Sequence, residues 1–218
     1  HARDFQRQVL RKMRSILVQA QGVEIVELIL EAKRPILKLV LPCGTRGDVS
    51  VLNRLGCRKS ATVAQHLRLG HPMLAKSCLS LKTWALRHGL YGQSAGFPSG
   101  LGFTCMAIFA AQCLQPAAAA KVDEVPDFVD DCHIPHLRKQ EISCGVAADH
   151  SRLVQAIFKF YADEFDWATE QVSVRRGTRH SRPKHTADGI LSIEDPVVPS
   201  LDLARPYMDQ ARAAQLRQ

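Results

Sequence analysis

The 218-residue chain has no apolar run of membrane-spanning length. Its longest apolar stretch, Phe103 to Cys113, carries polar interruptions and suits a buried helix better than a bilayer span. Cysteine pairing is also missing. The seven cysteines, Cys43, Cys57, Cys78, Cys105, Cys113, Cys132 and Cys144, are odd in number and show no paired spacing, which argues for reduced, mostly buried thiols rather than a disulfide framework. No internal repeat is visible. Acid is in short supply: Lys plus Arg number 29 against 21 for Asp plus Glu, a formal charge of +8, and that balance favours a polyanionic partner such as RNA or DNA. An initiating Met is absent, and the residues from His1 onward are already patterned as a helix, so the chain reads as a segment of something longer.

What is present is enough to fold. A hydrophobic fraction of 46% over this length fits one large domain or two small ones. The positive charge is clustered. "RRGTRHSRPKH", from Arg175 to His185, holds five Arg or Lys and two His with no acid. Arg175, Arg176, Arg179, Arg182 and Lys184 are therefore the candidate RNA-binding residues. A second basic group, Arg3, Arg7, Arg11, Lys12 and Arg14, lies on the amino-terminal helix, whose apolar face is read as Phe5, Val9, Met13 and Ile16.

Periodicity divides the chain. The first part reads as a helix to about Val18, then a strand in "VEIVELIL", a strand in "RPILKLVLP", a sharp "CGTRGD" turn and a strand headed by Asp48 in "DVSVL". After Ser60 the pattern is helical: "ATVAQHLRLG", "PMLAKSCLSLKTWALRHG" and "LGFTCMAIFAAQCL", separated by Gly and Pro signals. A connector at about 116–135 follows, then the amphipathic helix "SRLVQAIFKFYADEF" with Leu153, Ile157, Phe160 and Tyr161 near one face. Short strands in "QVSVRR" and "GILSIEDP" flank a basic loop at 175–188, and a last helix closes the chain. The fold class expected is α+β, with an α+β piece at 1–55 and a helical domain at 56–218. Helix spacing also places Trp84 in the interior beside Leu81 and Cys78, with Lys82 facing outward. Cys132, His133 and His136 form a C-H-x-x-H group without a partner pair at zinc spacing, and a plain loop is the better reading.

The order of motifs resembles the terminal uridylyltransferases and related RNA poly(A) polymerases of the nucleotidyltransferase superfamily. The residues carrying the resemblance are Asp48, Asn53, Gly56 and Ser60, then "KTWALRHGL" from Lys82, "GFPSGLGFTCMAIF" from Gly96, "IFKFYADEFDW" ending at Trp167, "VSVRRG" ending at Gly177 and "IEDP" at Ile193 to Pro196. The resemblance implies a partial nucleotidyltransferase palm joined to a helical poly(A) polymerase-like domain. It implies that Asp48 is the third catalytic, metal-binding carboxylate. Asn53, Arg58, Lys59, Ser60, Lys82, Ser99 and Asp195 become nucleotide-binding candidates. Mg²⁺ or Mn²⁺ with UTP or ATP would be the cofactors of an active enzyme, because nucleotidyl transfer needs divalent metal held by hard oxygen ligands at the α-phosphate.

Two departures from the pattern stand out. The upstream G-S and D-x-D motifs, which would carry the first two carboxylates, are not in this sequence. Within the matched region, the ribose-contacting Asn is replaced by Lys59, the second phosphate-binding Lys by Leu86, the S-Y pair by Gly100 and Leu101, and the acid that reads uracil by Val198. Each replacement removes a polar or stacking contact, and stacking alone is worth about 1–3 kcal/mol per base. The favoured expectation is a degenerate, pseudoenzyme module that binds RNA, with protein partners in a ribonucleoprotein complex, no DNA and no membrane. The alternative is an active RNA uridylyl- or adenylyltransferase. Basic charge and reduced thiols place it in the mitochondrial matrix, or else the cytoplasm.

Overall fold

A computed structural model describes residues 2–92, 95–116, 146–183, 191–204 and 210–217. The chain divides into two compact units, His1–Gly56 and Cys57–Gln218. The C-H-x-x-H group, Cys144, Lys184 and nearly all of the connector lie outside the described residues.

In the first unit, α1 (Ala2–Leu17) precedes three antiparallel strands in sequential order: β1 (Glu24–Ile29), β2 (Ile36–Val40) and β3 (Arg46–Val49). The central strand β2 buries Leu37 and Leu39 on one face, as period-two alternation requires. A bulge between Ile25 and Glu27 turns Val26 outward. The β2–β3 turn closes through the Gly44 N–H to the Leu41 carbonyl at 2.8 Å, with Gly44 at φ 77°, where an L side chain is disfavoured.

The helical phase of α1 differs from the expected one. Its buried residue is Leu10, while Phe5 and Ile16 are more than half exposed. The cause is polar anchoring. Gln6 Nε2 donates to the Val51 carbonyl at 2.9 Å, and Arg7 Nε donates to the Leu30 carbonyl at 3.1 Å. Arg7 also pairs with Glu31 at 2.6 Å, and Arg3 donates to the Glu31 and Ala32 carbonyls. Two members of the amino-terminal basic cluster are thus tied to the β1–β2 turn.

The second helix, α2 (Arg54–Leu69), starts seven residues before Ala61, where the apolar pattern begins, and the division into units falls within its first turn. In the second unit, α3 (Leu74–Arg87) and α4 (Gly100–Leu114) pack together, joined by α5 (Val146–Lys159). The helix α4 is apolar on every side and buries eleven consecutive residues, from Gly102 to Gln112, as a central core helix does. The expected face of α5 holds: Leu153, Ile157, Phe160 and Tyr161 are all buried. The helix widens into a π-helical turn, Phe160–Glu164, and aromatic rings of Phe109, Phe160, Tyr161, Phe165 and Trp167 meet edge to face there. Tyr161 donates its hydroxyl to the Met106 carbonyl at 2.8 Å, and Trp167 Nε1 donates to the Tyr161 carbonyl at 2.7 Å, so the polar ends of both rings are satisfied.

The segments read as strands near the carboxyl end form isolated bridges instead: Glu170 with Ser181, Val172 with Ile193 in parallel, and Glu194 with Asp202. A short helix, α6 (Gln210–Arg217), follows. Trp84 is half-buried rather than fully interior, and its ring meets Phe158 at 4.8 Å and His88 at 5.3 Å, while Leu81 and Cys78 occupy the core. Of the five described cysteines, Cys78 and Cys105 are buried, Cys113 is intermediate, and Cys43 and Cys57 are exposed, so "mostly buried" overstates their position. Burial pushes the Cys78 and Cys105 thiols up to about 12.

Candidate functional site

In the first unit, Asp48 lies in the register of β3 opposite Lys38 and near the strand's end, not at its head. Its side chain is exposed. Strand pairing stops at Val49 because the chain turns at Leu52, a non-glycine residue at φ 54°. That conformation costs an L residue about 1 kcal/mol and occurs between the candidate carboxylate and the helix that follows. Asn53 is engaged locally: its Oδ1 accepts the Gly56 N–H at 3.0 Å and its Nδ2 donates to Ser50 Oγ at 3.3 Å. This is an N-cap, the reason α2 begins where it does. A β-carbon on Gly56 would stand 2.4 Å from that amide, so the glycine admits the cap. Among the described residues no three His, Cys, Asp or Glu side chains gather into a group that could hold a metal ion, and the lone candidate Asp48 does not by itself fit a divalent-metal site.

The second unit pairs Lys59 with Asp195 and sets Lys82 beside the start of α4, which Ser99 caps. Lys59, on α2, forms an ion pair from Nζ to Asp195 Oδ2. The Asp195 side chain is fully buried, and its Oδ1 accepts the N–H groups of Val197 at 3.0 Å and Val198 at 3.1 Å. Asp195, a nucleotide-binding candidate from the sequence, thus holds the backbone that follows it. Cys105 marks the neighbourhood: burial raises its thiol, the Asp195 carboxylate adds to that, and Lys59 and Lys82 oppose it. Lys82 is half-buried on α3, with Cε 3.8 Å from where a Gly100 β-carbon would sit. Ser99 caps α4, its Oγ accepting the Gly102 N–H at 3.4 Å. Ser60 is exposed on α2, and the Arg58 carbonyl accepts the Thr62 hydroxyl at 3.0 Å.

Sequence reasoning did not single out Tyr91. Its Oη occupies the space beside Gly100, 2.5 Å from the position of the missing β-carbon, and its ring stacks on Phe103 at 5.9 Å. Glycine at 100 and a hydroxyl from Tyr91 therefore go together. Leu86, where a second phosphate-binding Lys is expected from the resemblance, is 59% exposed on α3.

The basic turn is built from the segment beside "IEDP". Val172 and Ile193 are bridged, through the Val172 N–H to the Ser192 carbonyl and the Glu194 N–H to the Val172 carbonyl, both at 2.9 Å. This brings Ser173 and Glu194 together, and Ser173 Oγ donates to Glu194 Oε2. The Arg176 N–H donates to Ser173 Oγ at 3.2 Å, and Arg175 Nε lies 3.7 Å from Glu194 Oε2. Arg175 is partly exposed and Arg176 exposed. Arg179 is committed within the fold: it donates to Glu170 Oε1 at 2.7 Å, to Glu170 Oε2 at 3.2 Å and to the Glu164 carbonyl at 2.6 Å. Those bonds hold its guanidinium charged more firmly than usual. Arg182 is half-buried and its N–H donates to the Thr169 carbonyl at 2.8 Å. All three arginines are exposed, but Arg179 engages its guanidinium in three hydrogen bonds within the fold, whereas Arg175 has one longer ion pair, to Glu194.

Residues 151–201, which hold α5, the basic turn and "IEDP", match the model of the Cid1 family poly A polymerase. With that segment placed around the Lys59–Asp195 pair, the architecture is decided by comparison with solved structures. The chain shares the fold of a terminal uridylyl transferase and of mtPAP. Terminal uridylyl transferase 4 from Trypanosoma brucei with bound UPU superposes with a TM-score of 0.74 at 19% identity, covering 99% of this chain and 71% of that one. The mtPAP structure in complex with CTP gives 0.71 at 19% identity, covering the whole of this chain and 48% of that one. In sequence, the Poly(A) RNA polymerase GLD2 of Mus musculus is 26% identical over 170 residues, covering 71% of this chain, and that of Xenopus tropicalis is 27% identical over 154 residues, covering 67%. The chain spans about a third of those relatives' length, 34% and 29% respectively. The α+β fold expected from the sequence is the one observed, and it is the fold of those solved transferase structures. No described helix is long and apolar enough to cross a membrane.

Proposed function

We propose that this is an RNA-binding module of the terminal uridylyltransferase and poly(A) polymerase type whose nucleotide pocket has been rebuilt so that it no longer serves nucleotidyl transfer. One observation carries the reading: the ammonium of Lys59 is neutralised by the buried Asp195. A lysine held by a buried carboxylate is not available to a triphosphate, since binding one would leave the carboxylate unpaired in the interior. Leu86, Leu101 and Val198 act in the same direction, each placing an apolar side chain where a contact to nucleotide is expected. Positive charge is kept outside the pocket, at Arg175 and Arg176.

A second reading, an active transferase, rests on the corner formed by Lys82, Tyr91 and Ser99 at the start of α4. Lys82 is a point charge for phosphate, and a phenol beside it supplies a donor in place of the missing serine. That reading requires Mg²⁺ or Mn²⁺, UTP or ATP, and two further carboxylates. Protein partners in a ribonucleoprotein complex and a mitochondrial or cytoplasmic location belong to either reading. Titration of the full-length protein with each nucleoside triphosphate and Mg²⁺ by calorimetry separates them. The module reading expects no saturable binding below millimolar concentration; micromolar affinity for UTP or ATP would overturn it.

A further inference from the structure

We infer that Glu194 is a positioning residue for RNA: a buried carboxylate that aims the Arg175 guanidinium outward and, through Ser173, fixes the turn that presents Arg176. The inference rests on the RNA-binding reading and names the phosphodiester site within it.

The geometry is that of an oriented arginine. Glu194 is 5% exposed and approaches Arg175 from the Nε side, while the Arg175 side chain remains 43% exposed. With the carboxylate 3.7 Å away on the Nε side, the two terminal nitrogens of the planar fork face away from it, which is the arrangement that bidentate phosphate recognition needs. The backbone is held as well. Ser173 is fully buried, its hydroxyl donates to Glu194 and accepts from the Arg176 N–H, and its carbonyl accepts the Gly177 N–H at 3.0 Å. Gly177, at φ 63°, completes the turn where any β-carbon would stand 3.3 Å from the Gln112 amide. Two adjacent arginines are thus presented by a turn whose conformation is set from below. The ligand this suits is a sugar–phosphate backbone with successive charges, here that of RNA.

A buried acid under an RNA site has opposite effects under the two possible accounts, and this makes the test sharp. If Glu194 acted only by charge, removing it would tighten binding. If it positions Arg175, Glu194→Gln weakens binding, because the isosteric amide keeps its place beside Ser173 but no longer draws the guanidinium.

The experiment measures the affinity of the full-length protein for a labelled single-stranded RNA across a salt series, for wild type, Glu194→Gln, Arg175→Lys, Arg175→Ala and the Arg175→Ala/Glu194→Gln double variant, with thermal melts to establish folding. The expected result is a roughly 3- to 10-fold loss for Glu194→Gln and a slope of log affinity against log salt shallower by about 0.7, the value for one lost phosphate contact on a single strand. Arg175→Lys behaves like Glu194→Gln, and the double variant loses no more than Arg175→Ala alone. Equal or tighter binding by folded Glu194→Gln, with Arg175→Ala still impaired, overturns the positioning role. Unchanged binding by Arg175→Ala overturns the RNA reading of the turn itself. Should Glu194→Gln fail to fold, Arg175→Lys decides: affinity retained by that variant overturns the proposal.

Discussion

Replacing Lys59 by Ala removes one partner of an ion pair whose other member is wholly inside the protein. Asp195 Oδ2 then faces a cavity where an ammonium stood, while Oδ1 keeps its two backbone donors, Val197 and Val198. Breaking a buried pair from one side costs about 3–5 kcal/mol, and the two remaining N–H bonds hold the cost toward the lower end, about 3 kcal/mol. That is a large part of the stability of an ordinary domain. Both tryptophans, Trp84 and Trp167, lie in the same unit as the pair, so urea unfolding followed by their fluorescence reports the transition directly. Lys59→Met/Asp195→Asn, which removes both charges at once, should recover to within about 1 kcal/mol of wild type. A shift below about 0.5 kcal/mol for Lys59→Ala, or a double variant no more stable than the single one, would refute the claim that Lys59 is bound up with Asp195.

Further expectations follow from other residues. His66 is buried on α2, and burial lowers its pKa from 6.5 to about 4. The unfolded chain therefore takes up the proton first as pH falls, so this contribution is complete above about pH 6.5 and is lost on acidification toward pH 4, about 3 kcal/mol in all. His66→Gln should flatten the fall in thermal stability between those limits; an unchanged pH profile would contradict the assignment. Gly100→Ala drives a β-carbon into the Tyr91 hydroxyl and should destabilise by about 1–3 kcal/mol in chemical denaturation. Adding Tyr91→Phe should restore much of that loss, and equal stability of the single and double variants would dismiss the contact. Arg179→Ala should lower the melting temperature while leaving the salt slope of RNA binding unchanged, because its guanidinium is held by Glu170 and Glu164; a slope change of the Arg175 kind would assign it to RNA instead.

The parts of this fold that were legible in the sequence are those set by local pattern. Apolar period placed α3, α4 and α5 and named the buried face of α5, and the order of short motifs pointed to the fold shared with the solved transferase structures. The start of α2 was missed because Arg54 to Ser60 is polar and interrupted by Gly56; Asn53 carried a capping signal, but it was read for nucleotide chemistry. The phase of α1 failed for a related reason: Gln6 and Arg7 fix it through the carbonyls of Val51 and Leu30, and no count of apolar residues registers such bonds. The pairings that define the candidate site are tertiary. Lys59 meets Asp195, and Ser173 meets Glu194, across long intervals of chain, so the sequence showed the residues without showing which charge was already answered.

The central claim is that RNA binding persists where nucleotide transfer does not, and Asp48 offers the most direct test. Labelled RNA incubated with the full-length protein, each nucleoside triphosphate and Mg²⁺ or Mn²⁺, beside an Asp48→Ala variant, reads both activities in one gel. No extension from either protein and equal RNA affinity for the two are the expected results. Extension by the wild type that disappears in the variant would contradict it, making Asp48 a working metal ligand and the pocket of Lys59, Leu86 and Leu101 a re-specified catalytic one.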